Sequence, residues 1–144
     1  MRSEQLDVEP DLGVATVRLM RRTQRRLMEG LAREGFAEIR ALHGAVLAFL
    51  DTGGVRATEL ARLSGQRKQV IGAVVDELEE LGYVRRAADP RDRRAKLVVP
   101  TERGQAEIAA ADRILAGIER DYRAAVGARD YRTFRAVLHT LVTG

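Results

Sequence analysis

The chain has 144 residues, 45% of them hydrophobic and 32% charged, with a formal net charge of +4. That length suffices for one domain with its own core, or a compact fold plus an oligomerisation arm, and the composition argues against disorder. Cysteine is absent, which excludes disulfides, thiolate metal sites and cysteine-based redox sensing.

The opening stretch MRSEQLDVEPDL has no apolar core of the kind a secretory signal needs. The longest apolar run, Ala45 to Leu50, is too short to span a bilayer. A cytoplasmic protein with no membrane partner is expected. From Asp11 to about Arg33, Leu12, Leu19, Met20, Leu27 and Leu31 trace one helical stripe, and Arg18, Arg21, Arg22, Arg25 and Arg26 crowd the other side. That basic side reads as a solvated face, since a membrane-surface helix would carry bulky aromatics and this one has none. Gly35 breaks the helix. A second is predicted from Glu38 to Leu50, with Ile39, Leu42, Val46, Phe49 and Leu50 as its apolar face.

Asp51 to Gly54 ends that helix, and Val55 to Ala57 has the composition of a short strand. Thr58 to Ser64 predicts a short helix with Thr58 as its N-cap. A longer helix follows, on which Val70, Val74, Leu78 and Leu81 recur at three- and four-residue spacing, with Ile71 and Val75 widening the face. This stripe is expected to pack on Leu60 and Leu63, leaving Arg67, Lys68 and Gln69 outward at the helix start. Gly82 is a natural left-handed stop. Tyr83 to Ala88 and Ala95 to Val99 read as strands, joined through the turn chemistry of Asp89, Pro90, Arg91 and Asp92.

Residues 85–96 carry Arg85, Arg86, Arg91, Arg93, Arg94 and Lys96 against Asp89 and Asp92, a surplus equal to the whole chain's +4. The rest of the protein is therefore close to neutral. A basic hairpin beside a helix with a basic start is the layout of a winged helix-turn-helix. By position in that pattern, Gln66, Arg67, Lys68 and Gln69 lie at the start of the recognition helix. Gln is suited to adenine and Arg or Lys to guanine in the major groove; the alternative for Arg67 and Lys68 is contact with phosphates alone.

Beyond the hairpin, Thr101 is expected to cap a helix reaching Val126, striped by Ile108, Ala111, Leu115, Ile118, Tyr122 and Val126. At ~1.5 Å per residue it is about 39 Å long, more than a small winged-helix core can cover. Gly127 interrupts, and Tyr131, Phe134, Leu138 and Leu141 mark a last helix. These segments and the first helix hold more apolar surface than one small domain buries, so an intertwined homodimer is the economical reading. The expected fold class is mainly α with a small β-wing. Its units are an N-terminal dimerisation helix (1–34), a winged helix-turn-helix domain (35–100) and C-terminal dimerisation helices (101–144).

No catalytic constellation stands out. His43 and His139 lie on different helices, neither with a second metal ligand one turn away, and Thr58 and Ser64 have no neighbouring His. Asp76, Glu77, Glu79 and Glu80 read as a solvated helix face. Neither an enzyme nor a cofactor is expected.

The stretch DPRDRRAKLVVPTERG over residues 89–104 resembles the wing signature of the MarR family of bacterial transcription regulators, and DELEELGYVRR over 76–86 is similar to that family's link from recognition helix to wing. The resemblance implies a homodimer that binds palindromic double-stranded DNA, most often as a repressor. Arg94 stands at the family's wing-tip arginine position, implying minor-groove insertion. Asp92 stands at the matching acidic position, where it braces an arginine or serves the turn. Arg86, Arg91, Arg93 and Lys96 supply charge toward the phosphates. The family often responds to small aromatic acids or lipophilic compounds. Here such a pocket, between the dimerisation helices and the winged-helix domain, would draw on Phe36, Ile39, Arg40 and His43 with the N-terminal helix of a partner subunit, Arg40 or His43 pairing an acid, unless these four only pack. The chain departs from the pattern at Arg67, where a Ser or Thr cap is usual, and at Gly72 and Ala73, where base-reading side chains are usual. That departure keeps a rival open: a winged-helix dimer that holds a protein partner and does not read DNA.

Overall fold

The computed structural model describes residues 9–144; the first eight residues, part of the segment read for a secretory signal and of the unit 1–34, lie outside the described residues. Helix α1 spans Leu12–Arg33. It starts where the Val14 N–H donates to Asp11 Oδ1 at 2.9 Å, satisfying one of the amides that a helix start leaves bare. It ends just before Gly35, whose φ of +97° suits glycine.

The single helix expected from Glu38 to Leu50 is not formed. Arg40 stays extended (φ −112°, ψ 163°), and its N–H donates to His43 Nδ1 at 2.9 Å. Only a 3₁₀ turn, Ala41–His43, and a four-residue helix α2, Gly44–Leu47, follow. A local side-chain bond to the backbone has displaced the longer helix. Ile39, His43, Val46 and Leu47 face inward, while Leu42 and Phe49 stay on the surface.

Strand β1, Val55–Arg56, runs directly into α3, Ala57–Ser64. Arg56 is the N-cap residue, so Thr58 lies inside the first turn and does not cap it. Helix α4, Lys68–Glu80, buries Ile71, Val74, Val75 and Leu78 against a core that includes Leu60, Val46, Tyr83 and Val84. The buried face is rotated from the expected stripe: Val70 is half-buried, and Leu63 and Leu81 are exposed. Truncating a fully buried leucine here, Leu60 or Leu78, costs about 2–5 kcal/mol. Gly82 (φ +87°) ends α4, with Tyr83 N–H donating to Leu78 O (2.8 Å) and Gly82 N–H to Glu79 O (3.1 Å), a Schellman stop.

Strands β2, Val84–Asp89, and β3, Asp92–Pro100, complete a three-stranded antiparallel sheet of order β1-β3-β2. Both run further into the tip than expected, leaving Pro90 and Arg91 as the turn. Pairing is regular from Val84↔Pro100 to Ala88↔Lys96, then jumps to Asp89↔Asp92. Arg93, Arg94 and Ala95 are left as a bulge without ladder partners.

Helix α5, Glu102–Val126, is capped by Thr101, whose Oγ1 accepts from the Gly104 N–H at 3.1 Å. The Thr101 hydroxyl donates to Gly82 O at 2.6 Å, so the start of α5 is seated on the turn after α4. Gly104 permits this: a Cβ there would lie 2.0 Å from the Tyr83 carbonyl oxygen. The core-facing side of α5 is Gly104, Glu107, Ala110 and Ile118, with Ile108, Ala111 and Leu115 half-buried. Helix α6, Ala128–Thr143, follows Gly127 and buries Tyr131. Helices α1 and α5 run antiparallel, joined by Thr23 to Tyr122 (2.8 Å), Arg26 to Asp121, and Arg113 to Glu34 (2.8 Å). Much of the apolar surface at the start of α1 and the end of α6 is uncovered: Leu12 is 76% exposed, Leu141 71% and Val142 72%.

Candidate nucleic-acid interface

The recognition-helix start is built by a tight turn. Gly65 takes φ +72°, the Gln66 N–H donates to Ser64 Oγ at 3.2 Å, and Arg67 then enters α4 with no side chain capping it. Gln66, Arg67, Lys68 and Gln69 are all exposed, on a helix end whose free amides already favour an anion. One turn on, Ala73 is exposed and nothing lies within 4 Å of where a Cβ on Gly72 would stand. The middle of α4 therefore offers a smooth surface with little reach.

The wing is held from below by Asp89, expected from the sequence only as a turn residue. It is 5% exposed; its Oδ2 accepts from Arg56 Nε (2.8 Å) and its Oδ1 from the Arg91 N–H (2.9 Å). The Arg91 amide first, and then the Arg56 guanidinium, hold this carboxyl below its ordinary pKa of 3.8. Asp92 accepts from the Arg94 N–H at 3.0 Å, so it braces the backbone of the bulge and holds no guanidinium. That is turn chemistry, and the arginine brace belongs to Asp89. The signal for Asp89 was legible in the sequence only as one more Asp beside a proline, because its partner Arg56 is 33 residues away.

Arg86 differs from the other basic residues of the hairpin. Its guanidinium reaches Asp76 at 2.7 Å and Glu79 at 3.0 Å, and its N–H donates to Glu79 Oε2 at 3.1 Å. It ties β2 to α4 and has little charge left to offer a phosphate. Among the described residues, no carboxylate pairs with the side chains of Arg67, Lys68, Arg91, Arg93, Arg94 or Lys96. An exposed cation set therefore stands beside an exposed helix start. That arrangement can take a polyanion with two features at once, one helix wide and one wing away.

Within the single chain, three of the four residues expected to line an effector pocket turn to other partners. Phe36 packs on Tyr83 with ring centroids 6.1 Å apart. Arg40 and the buried His43 both turn to Glu77 of α4: Arg40 at 2.7 Å, and His43 Nε2 at 2.9 Å. Since His43 Nδ1 accepts from Arg40 N–H, Nε2 carries the proton and donates. These two donors, His43 first, hold Glu77 below its ordinary pKa. Ile39 lines a cavity of about 380 Å³ bounded by α1, the segment 39–50 and α5. Among the described residues, no group of three or more His, Cys, Asp and Glu is placed to hold a metal, and no helix is long and apolar enough to cross a membrane.

A helix-turn-helix whose second helix leads into a two-stranded wing, flanked by long helices at both ends, defines a winged helix-turn-helix transcription regulator fold. The MarR family matches residues 39–95, from just before α2 to the wing bulge. The crystal structure of CouR from Rhodococcus jostii RHA1 bound to p-coumaroyl-CoA is similar at 27% identity, covering 91% of each chain with a TM-score of 0.74. The repressor CouR bound to a 23-mer DNA duplex is similar at 26% identity, covering 92% of each chain with a TM-score of 0.76. An uncharacterised HTH-type transcriptional regulator of Bacillus subtilis strain 168, YcgE, is 42% identical over 50 residues, 35% of this chain and 32% of that protein. The match thus spans about a third of that curated relative's length. Over residues 39–95 the chain is similar to the MarR family.

Proposed function

We propose that the protein is a cytoplasmic transcription regulator that binds palindromic duplex DNA as a homodimer, represses, and is released by a small lipophilic or aromatic ligand. The observation that carries this reading is the unpaired cation set at the wing beside the bare start of α4. Gln66, Arg67, Lys68 and Gln69 enter the major groove, Arg94 enters the minor groove from the wing bulge, and Arg91, Arg93 and Lys96 meet phosphates. Asp92 shapes the bulge that presents Arg94, and Arg86 acts at one remove by fixing the wing to α4. The smooth middle of α4 shifts the burden of recognition toward the wing. Residues 1–34 and 101–144 form the dimer arm, where the uncovered apolar residues of α1 and α6 meet a second copy; residues 35–100 are the reading head. A C₂ pair places two heads about one DNA turn apart. That CouR is a repressor, with structures bound to DNA and to p-coumaroyl-CoA, supports both halves of the reading. Nothing in this role calls for catalysis or a cofactor.

The test is fluorescence anisotropy against the protein's own upstream region and scrambled duplex, across a salt series, for wild type, Arg94→Ala and Arg86→Ala. The native region is expected to win by more than about a hundredfold. Arg94→Ala should remove most of that preference and lower the log–log salt slope by about 1. Arg86→Ala should leave the slope in place. Equal binding of both duplexes would favour the second reading, a protein-partner module, whose support is the absence of reaching side chains at Gly72 and Ala73.

A further inference from the structure

Between Gln69 and Asp76, α4 carries no hydrogen-bonding side chain. The residues there are Val70, Ile71, Gly72, Ala73, Val74 and Val75, of which Ile71, Val74 and Val75 are buried and Val70 is half-buried. The outward surface is left to Gly72 and the exposed Ala73, three and four residues after Gln69 and so on its side of the helix. Nothing in the fold asks for glycine at this position. Gly72 is not among the glycines with positive φ, and among the described residues no atom lies within 4 Å of where its Cβ would stand. Gly30 and Gly104 differ, because Ile114 and the Tyr83 carbonyl crowd their Cβ positions. Glycine inside a helix weakens it relative to alanine, and here no contact within the chain offsets the loss. What glycine does allow is a close approach of another molecule to the backbone. Asp76, the acid at the far side of this smooth stretch, is matched by Arg86 at 2.7 Å, which lowers the repulsion a phosphate would meet.

We propose that Gly72 and Ala73 read the 5-methyl group of a thymine in each half-site, Ala73 by apolar contact and Gly72 by letting the base come close. The inference rests on the DNA-binding reading and sharpens it, naming a base where that reading names a groove. In the major groove the base edges present hydrogen-bond donors and acceptors, and the thymine methyl is their apolar feature. A helix face without polar side chains can select only that feature. An adenine, guanine or cytosine edge set against the same face would give up hydrogen bonds to water and gain none. Ala73 follows Gln69 by four residues, about 6 Å along the helix axis. A base read by Gln69 and the thymine therefore lie within about two base pairs of each other.

The test uses the full-length protein and the shortest duplex from its own upstream region that outcompetes scrambled sequence. Each thymine of that duplex is replaced singly by deoxyuridine, which removes the methyl and nothing else, and affinity is read by fluorescence anisotropy. One thymine per half-site should prove methyl-dependent, its replacement weakening binding about fourfold, as expected for one buried methyl group. Replacing both symmetry mates together should weaken it about fifteenfold. Ala73→Gly should bind the thymine and deoxyuridine duplexes alike; Ala73→Ser supplies the same comparison if the glycine variant loses helix content. Gly72→Ala should raise the urea midpoint of the free protein, because the added methyl improves the helix and meets open space. The same variant should bind the native duplex roughly tenfold more weakly and scrambled duplex as wild type does, a combination that damage to the helix would not produce. Three results would overturn the inference: no thymine whose methyl matters, a methyl dependence that survives in the Ala73 variants, or wild-type affinity of Gly72→Ala for the native duplex. Each of them leaves wild type's preference for its own region standing. Loss of that preference itself would instead bring down the DNA-binding reading, and this inference with it, so the two failures are told apart.

Discussion

Replacing Glu107 by leucine removes a buried carboxyl whose Oε2 has no partner, and its effect on stability should depend on pH with a definite sign. In the folded chain this group's pKa is raised from 4.5 to about 7, by burial first and by Asp112 second. Between those values the folded state holds a proton that the unfolded state has released, so wild-type stability falls as pH rises through the window. Below about 4.5 both states are protonated and the cost is absent; above about 7 it is complete. A rise of this size corresponds to roughly 3 kcal/mol if water gave no relief. The mouth of the cavity, at Ala48 and Asp112, is exposed, and screening there brings the expected figure to about 1–2 kcal/mol. Urea unfolding followed by circular dichroism, at equal protein concentration near pH 5 and near pH 8, measures it. Glu107→Leu should gain on wild type by that amount between the two conditions, because every other titrating group is common to both proteins. A leucine whose filling of the site shifts both curves equally leaves this difference intact. A difference that is flat, or that shrinks as pH rises, would refute the account of Glu107 as a strained buried acid.

Three further outcomes are expected. Gly104→Ala drives a Cβ to within 2.0 Å of the Tyr83 carbonyl and should cost about 3 kcal/mol or more, read as a fall in the urea midpoint, because backbone is on the other side of the contact. Asp89→Ala strips Arg56 and the Arg91 amide of their acceptor; DNA affinity should drop roughly tenfold with helix content unchanged, since the loss is of wing position. Asp89 also works in acid. Its lowered pKa stabilises the fold above the unfolded value of 3.8, and that contribution should vanish as pH falls through the folded value. Leu141→Glu places a charge on the uncovered face of α6, and the dissociation constant of the proposed dimer by analytical ultracentrifugation should rise at least about a hundredfold, because a C₂ interface would carry the change twice. An unchanged sedimentation profile would remove α6 from the dimer arm.

The elements whose cause is local were legible in the chain. Thr101 caps the long helix after the wing, glycines at 35, 82 and 127 stop helices where φ turns positive, and Pro90 sits in the wing turn, although the cap expected at Thr58 fell inside α3. Charge density alone located the wing, since residues 85–96 hold the whole surplus of the chain. What stayed hidden depends on partners far apart in sequence. The predicted Glu38–Leu50 helix gave way to a local bond, Arg40 N–H to His43 Nδ1, whose ring is oriented by Glu77 of α4, 34 residues away. Arg86 looked like one more wing cation until Asp76 and Glu79 on α4 were brought across the Gly82 turn to meet it. The arginine brace of the wing passed from Asp92 to Asp89 because Arg56 arrives from the edge of the sheet. Glu107 reads in the sequence as a polar residue within an apolar helical stripe; only packing α1 and the 39–50 segment against α5 sealed it from water. Caps, turns and charge runs act through neighbours a few residues away, so a sequence displays them. Ion pairs, burial and cavities are properties of surfaces that meet only when the chain has folded, and those decided which of these charges is free to bind.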